Sequence, residues 1–208
     1  MRYLLSFFVG VLLSASLYAQ SAGDKRSSFS VHAGPSWYLG RFVGITDRAD
    51  TYRSDLRKGV AWDVNYLGQI TGRELKFGLG FLYQGSAYKN THDTGADKIY
   101  MHYMAPQVAL TMVQKHYQLQ FSGGIGYQLY RDKPRKVTMS KFAGNLSLSG
   151  EYFLSSHWGA SARVNWLASS SESYSVKYHN VEWDVESPRA GSGYFGQLSL
   201  LFGLNYHF

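Results

Sequence analysis

The last stretch of the chain limits what the rest can fold into. Leu198, Leu200, Phe202, Leu204, Tyr206 and Phe208 fall on one side of a period-two pattern, while Gln197, Ser199, Gly203, Asn205 and His207 fall on the other, with Leu201 the single exception. Strict alternation of this kind marks a β-strand whose two faces meet unlike surroundings. It recurs upstream. Tyr117, Leu119, Phe121, Ile125, Tyr127 and Leu129 alternate with Gln118, Gln120, Ser122, Gly124, Gly126 and Gln128. Residues 60–70, 75–86, 142–154 and 158–168 behave likewise, and no window beyond residue 28 shows helical spacing.

Eight alternating segments are expected: 29–39, 58–70, 73–87, 99–112, 116–130, 140–154, 157–169 and 193–208. Their connections alternate in length. Thr71–Gly72, Val113–Lys115 and Ser155–Ser156 are tight, whereas 40–57, 88–98, 131–139 and 170–192 are long and polar. An even strand number with short turns at one end and long loops at the other is the topology of an all-β, antiparallel, up-and-down transmembrane barrel. A soluble sandwich would scatter long and short connections over both ends.

The polar face is Gly, Ser, Asn and Gln, side chains small enough for the narrow interior of eight strands, so the apolar face is the one that meets lipid. Aromatic residues gather at segment ends, with Trp37, Tyr88, Tyr100, Tyr130 and Tyr194 near the long loops and Tyr66, Tyr117, Tyr152, Trp158, Tyr206 and Phe208 near the tight turns. Two interfacial girdles are expected from that placement.

Arg2, the apolar run Leu4–Leu13 and the small residue Ala19 have the order of a cleaved secretory signal over residues 1–19. The run is too short to cross a bilayer as a helix. Residues 20–28 are then a short periplasmic segment and 29–208 the barrel. The 208 residues contain no cysteine, which excludes disulfides, thiolate metal sites and Cys nucleophiles together. The net charge of +7 invites a nucleic-acid reading, but export and dispersal of the basic residues over loops argue against it.

The terminal run Leu200-Leu201-Phe202-Gly203-Leu204-Asn205-Tyr206-His207-Phe208 resembles the C-terminal insertion signal of Gram-negative outer-membrane proteins, carried here by Leu204, Tyr206 and Phe208. With the eight segments it resembles the small OmpA- and OmpX-like barrel superfamily. The resemblance implies integral placement in the outer membrane, recognition of the last strand by the outer-membrane assembly machinery, and a monomer. No peptidoglycan-binding domain is expected after Phe208. The superfamily holds structural anchors, adhesins, resistance factors and lipid A modifying enzymes, so the fold leaves function open.

Turning the polar faces inward places Asp63, Lys76, Glu151 and Arg163 in the lumen, with His32 and His207 toward the periplasmic end. Charges there must pair, and the expected result is a plug that fills the interior; a gated ion path is the alternative. Loop 131–141 is basic, and Lys133, Arg135, Lys136 and Lys141 are candidates for charge-assisted contacts to lipopolysaccharide phosphates. The acidic stretch Glu182-Trp183-Asp184-Val185-Glu186 lacks the spacing of a calcium loop, and neither metal nor cofactor is expected. Gly123-Gly124-Ile125-Gly126 lies in an alternating strand with no helix after it, which suits packing better than phosphate binding.

For catalysis, the resemblance implies a His-x-Ser pair on one strand in the deacylase branch, and none of the seven His residues has Ser two positions on. The segment Gln20–Ser28 also lacks the amphipathic spacing of the membrane-surface helix that begins the palmitoyl transferases. His92, beside Asp93 and Thr94, and His179, near Ser175 and Glu182, remain as loop-borne candidates. The expected function is therefore non-enzymatic, that of a surface, structural or binding protein contacting lipopolysaccharide. A lipid A or phospholipid modifying enzyme and a narrow ion channel are the alternatives.

Overall fold

The computed structural model describes residues 27–40, 50–71, 75–90, 97–133, 137–169, 173–178, 181–186 and 195–208. Seven long strands run in order as β1 (Ser27–Tyr38), β2 (Lys58–Thr71), β3 (Leu75–Lys89), β4 (Lys98–Val113), β5 (Tyr117–Asp132), β6 (Val137–Phe153) and β7 (Trp158–Ser169). A hairpin of β8 (Ser173–Tyr178) and β9 (Val181–Glu186) follows, and then the last long strand, β10 (Phe195–His207). All pairings are antiparallel. Neighbours run β5-β4-β3-β2-β1-β10-β7-β6, and β5 pairs with β6 to close the ring. The eight segments read from the sequence are these eight long strands, displaced by a few residues at their ends. Ser27 rather than Phe29 begins β1, and Ser27 and Phe208 exchange backbone hydrogen bonds where first and last strands meet.

Two of the long connections carry secondary structure of their own. The first long connection contains a helix, α1 (Asp50–Leu56), too short to show a helical period. The last long connection contains the β8–β9 hairpin, which continues the wall through one pair, Thr138 of β6 with Lys177 of β8.

Alternation sorts the side chains. Ile125, Phe142, Leu148, Leu119, Phe121, Phe202 and Leu204 are exposed on the outside, and the opposite face of the same strands is buried and polar, with Gln120, Ser122, Ser147, Ser149 and Asn205 among its members. That is the reverse of a soluble barrel. Hydrocarbon is the solvent that stabilises such a surface, and a closed barrel is the β-structure it tolerates, because every backbone N–H and C=O must find a partner within the wall.

Two strands carry a proline inside the wall. Between β4 and β5, Met104 pairs with Tyr127 and Val108 with Gly123, but the three intervening pairs around Pro106 are missing. Between β1 and β10 the ladder skips from Ala33–Phe202 to Ser36–Ser199 around Pro35. Proline has no N–H to donate, and both prolines still pair on their other side, Pro106 with Phe81 and Pro35 with Val60. In strand order the two breaks lie across the ring from each other, with β1–β4 on one side and β5, β6, β7 and β10 on the other.

The long-loop end is closed by an apolar cap inside the barrel. Tyr38, Tyr88, Ile99, Met101, Tyr130, Met139 and Phe195 form one buried cluster with Leu56 of α1. Tyr52 of α1 packs against it, donates its hydroxyl to Asp97 Oδ2 at 2.9 Å and accepts from the Asp97 N–H at 3.0 Å. This corrects the expected girdle at that end. Tyr88 and Tyr130 point inward, because they stand on the same parity as the polar residues of their strands, whereas Trp37 is 37% exposed on the outer face. Tyr194 lies outside the described residues. At the short-turn end Tyr117, Tyr152, Trp158, Tyr206 and Phe208 are all exposed on the outside, and Trp158 and Tyr206 pack edge to face at 5.0 Å.

Inverting one lipid-facing position tests this orientation. Leu148→Arg is expected to destabilise the folded barrel by about 2–4 kcal/mol, against a much smaller effect for Ser147→Ala on the other face, both read from urea unfolding in lipid vesicles.

Candidate functional site

Among the described residues, two acidic centres occupy the lumen below its outer mouth. In the first, Asp63 on β2 is fully buried between His32 on β1 and Arg163 on β7. Its Oδ1 lies 2.7 Å from His32 Nδ1, and its Oδ2 accepts from an Arg163 guanidinium N–H at 3.1 Å. In the second, Glu151 on β6 accepts from the side-chain amides of Gln118, at 2.6 Å, and Asn205, and lies 2.6 Å from His207 Nε2. Ser161 joins the two centres, 2.7 Å from His32 Nε2 and donating to Asn205 Oδ1 at 3.0 Å. Two glycines make room for them. A Cβ at Gly203 would lie 2.6 Å from His32 Cδ2, and one at Gly159 would collide with the Glu151 carboxylate.

Nearer the long-loop end the network is neutral. Tyr103 and Gln107 donate to Asn145 Oδ1 at 3.0 and 2.8 Å, Asn145 donates to Asn165 Oδ1 at 3.2 Å, and Asn165 in turn donates to Gln84. Gln84 reaches Ser199, which bonds Ser36 at 2.9 Å, and Ser36 bonds the Tyr88 hydroxyl at 2.7 Å beneath the apolar cap. Buried polar groups are stable only when satisfied, and here each serves as its neighbour's partner.

Ser161, His32 and Asp63 stand in the hydrogen-bond order of a hydrolytic triad, a convergence from three strands that no sequence spacing reveals. The Ser161 hydroxyl is shared, 3.0 Å from Asn205 Oδ1 as well as 2.7 Å from His32 Nε2, and His32 Nδ1 lies against the Asp63 carboxylate. The serine is also 7% exposed, inside the wall rather than at a rim.

The outer surface at the long-loop end is different. Lys89 and Lys98 face each other across β3 and β4, and Tyr100 faces Arg131 across β4 and β5. Lys89, Lys98, Arg131 and Lys133 are all exposed. Lys133 lies with its ammonium 4.7 Å from the centre of the Tyr100 ring, and its backbone N–H donates to the Lys98 carbonyl at 3.2 Å. Like charges directly opposite on paired strands are unfavourable, so this rim stores positive potential that an anion would relieve.

No protein-family model and no curated protein matches the sequence. Solved structures do. Neisserial surface protein A aligns at 9% identity and a TM-score of 0.55, over 88% of this chain and 97% of that one. Ail, the attachment invasion locus protein of Yersinia pestis, aligns at 9% identity and 0.53, over 89% and 99%. Ail in complex with the heparin analogue sucrose octasulfate aligns at 10% identity and 0.51, over 88% and 98%. The fold and the lipid-facing belt agree. The chain is an eight-stranded outer-membrane β-barrel. Its long connections and its tight turns lie at opposite ends of the barrel.

Within this outer-membrane barrel, three of the four charged lumen candidates sit in the two acidic centres: Asp63 and Arg163 pair, and Glu151 pairs with His207. Lys76 lies on the inward register at the periplasmic end, opposite Thr111, half-buried and without an ion pair to a described residue. Of the basic loop candidates, Lys133 is on the outer rim, while Arg135 and Lys136 lie outside the described residues. Lys141 differs from expectation. Its odd position on β6 turns it toward the lumen mouth, where its ammonium sits 3.7 Å over the Phe195 ring. His92 and His179 lie outside the described residues, as do the side chains of 182–186, and among the described residues no acidic or His cluster fits a metal. Lys89, Lys98 and Arg131 complete the rim, and alternation counted through to the strand ends would have placed them outside.

Removing one partner of the lumen pair separates charge from packing. Arg163→Met is expected to destabilise by about 3 kcal/mol, because Asp63 then loses a buried counter-charge, whereas Asp63→Asn with Arg163→Met recovers most of the loss. Equilibrium unfolding of both variants gives the comparison.

Proposed function

We propose that this outer-membrane barrel is a non-enzymatic surface protein that acts through its extracellular end by contacting lipopolysaccharide. One observation carries the reading: four exposed basic side chains, Lys89, Lys98, Arg131 and Lys133, stand beside one another at the long-loop end of the barrel. Arg and Lys form charge-assisted hydrogen bonds with phosphate oxygens. Arg135 and Lys136, between Lys133 and β6, add to the same basic stretch of sequence. A passive interior is favoured because Asp63, Arg163 and Glu151 are each held by partners within the lumen and the outer mouth is filled by the apolar cap.

The barrel is a monomer in this reading. Its last strand presents Leu204, Tyr206 and Phe208 outward at 52%, 37% and 47% exposure, the pattern by which the assembly machinery would select it.

Lipid A from cells with and without the folded barrel tests the enzyme alternative, and the same acyl pattern by mass spectrometry is expected from both. An altered pattern would overturn the reading and send mutagenesis to His92, His179 and Ser161. Planar-bilayer recordings test the channel alternative. No conductance is expected from the wild type or Asp63→Asn, and stable unitary currents from the wild type would count against a filled lumen.

A further inference from the structure

We propose that the β4–β5 face binds one lipid A molecule, with an acyl chain in a groove at Pro106 and a phosphate held by Lys98, Arg131 and Lys133. The inference rests on the surface reading above and names its ligand and its site. The groove is an apolar hollow of about 970 Å³ on the outer wall, lined by Phe77, Leu110, Phe121, Ile125 and Trp166 among others. Its floor is the interrupted ladder, since Pro106, Val108, Gly123 and Gly124 all line it. Small residues keep it open. Gly123 and Gly144 occupy lipid-facing positions, Gly123 between Val108 and Leu146 and Gly144 between Ile125 and Ala168 in the register.

The site's depth identifies the occupant. Pro106 is near the middle of β4, so the groove opens to the hydrocarbon and only an acyl chain can fill it. Arg131 is six residues up β5 from Ile125, the lipid-facing residue opposite Pro106 in this register. That is about 20 Å along the strand, or about 15 Å along the membrane normal at a tilt of about 40°. A headgroup phosphate at Arg131 therefore stands above a chain that reaches the groove. The charge complements it: Lys89 and Lys98 face each other with no acid between them in the register, and Lys133 is drawn to the same side by Tyr100. Lipid A combines phosphates with several acyl chains in the leaflet this rim faces.

Two substitutions separate the groove from the rim. A Cβ at Gly144 would meet nothing nearer than the Gly124 carbonyl at 3.8 Å, so Gly144→Leu fills the groove without striking backbone. Lys98→Glu with Arg131→Glu reverses the rim at exposed positions. Gly150→Leu is the control, because its Cβ has ordinary contact at 3.5 Å with Leu119, in a second hollow toward the periplasmic end.

The experiment is native mass spectrometry of the barrel extracted from outer membranes in mild detergent, with folding of each variant checked by its heat-dependent gel shift. Wild type and Gly150→Leu are expected to retain one lipid A per barrel. The rim variant, which keeps the barrel wall untouched, and Gly144→Leu are expected to lower the bound fraction about tenfold or more, as removal of a charge-assisted contact does. Wild type free of lipid A, a phospholipid retained in its place, or full retention by the rim variant would overturn the inference. Unaltered cellular lipid A beside an empty barrel would overturn this site alone, whereas altered cellular lipid A would overturn the surface reading itself.

Discussion

Every other feature of this protein depends on the inter-strand backbone hydrogen bond in a medium without water. An unpaired N–H or C=O in hydrocarbon costs several kcal/mol, so eight strands must close, and β5–β6 and β1–β10 are as necessary as any pairing between them. Closure at eight strands then fixes the diameter and leaves an interior only wide enough for side chains. The wall bends that rule at Pro35 and Pro106, each with its missing N–H turned toward one neighbour. The break at Pro106 lies beneath a large outer groove.

The inside answers to a different constraint. Polar residues enclosed by the wall must satisfy one another, and the chain solves this in layers: Glu151 and His207 nearest the periplasm, Asp63 with His32 and Arg163 next, an amide network above them, and an aromatic cap at the outer mouth. Gly159 and Gly203 admit Glu151 and His32 close to the wall. The same layering puts a serine, a histidine and an aspartate in line inside the wall, with Ser161 only 7% exposed. With the interior occupied, recognition falls to the outside, where a basic rim stands over an apolar groove.

Alternation made the barrel legible. Period two over the long segments, from Phe29 to Phe208, yields eight strands and their facing, and the unequal connections yield their up-and-down order. The same rule followed one step further would have placed Tyr88, Tyr130 and Lys141 inside, since parity decides direction even where residue type suggests an interface. What alternation could not carry is contact between strands distant in sequence. Ser161 meets His32 across 129 positions and Arg163 meets Asp63 across 100, and only the closed register brings them together. Helix α1 was hidden because seven residues hold too few turns to show a period. The rim has no signature in the sequence because Lys89, Lys98 and Arg131 lie on separate strands and become neighbours only through pairing.

The central claim is that apolar residues face hydrocarbon and polar ones face a filled interior. Because the chain has no cysteine, single spin labels can be introduced along β5 from Leu119 to Tyr127 in the reconstituted barrel, and their accessibility to oxygen and to a water-soluble relaxation agent measured. Oxygen accessibility is predicted to rise at Leu119, Phe121, Ile125 and Tyr127 and to fall at Gln120 and Ser122, with the aqueous agent excluded throughout. Exposure of Leu119, Phe121 and Ile125 to the aqueous agent, or a profile without period two, would contradict the account.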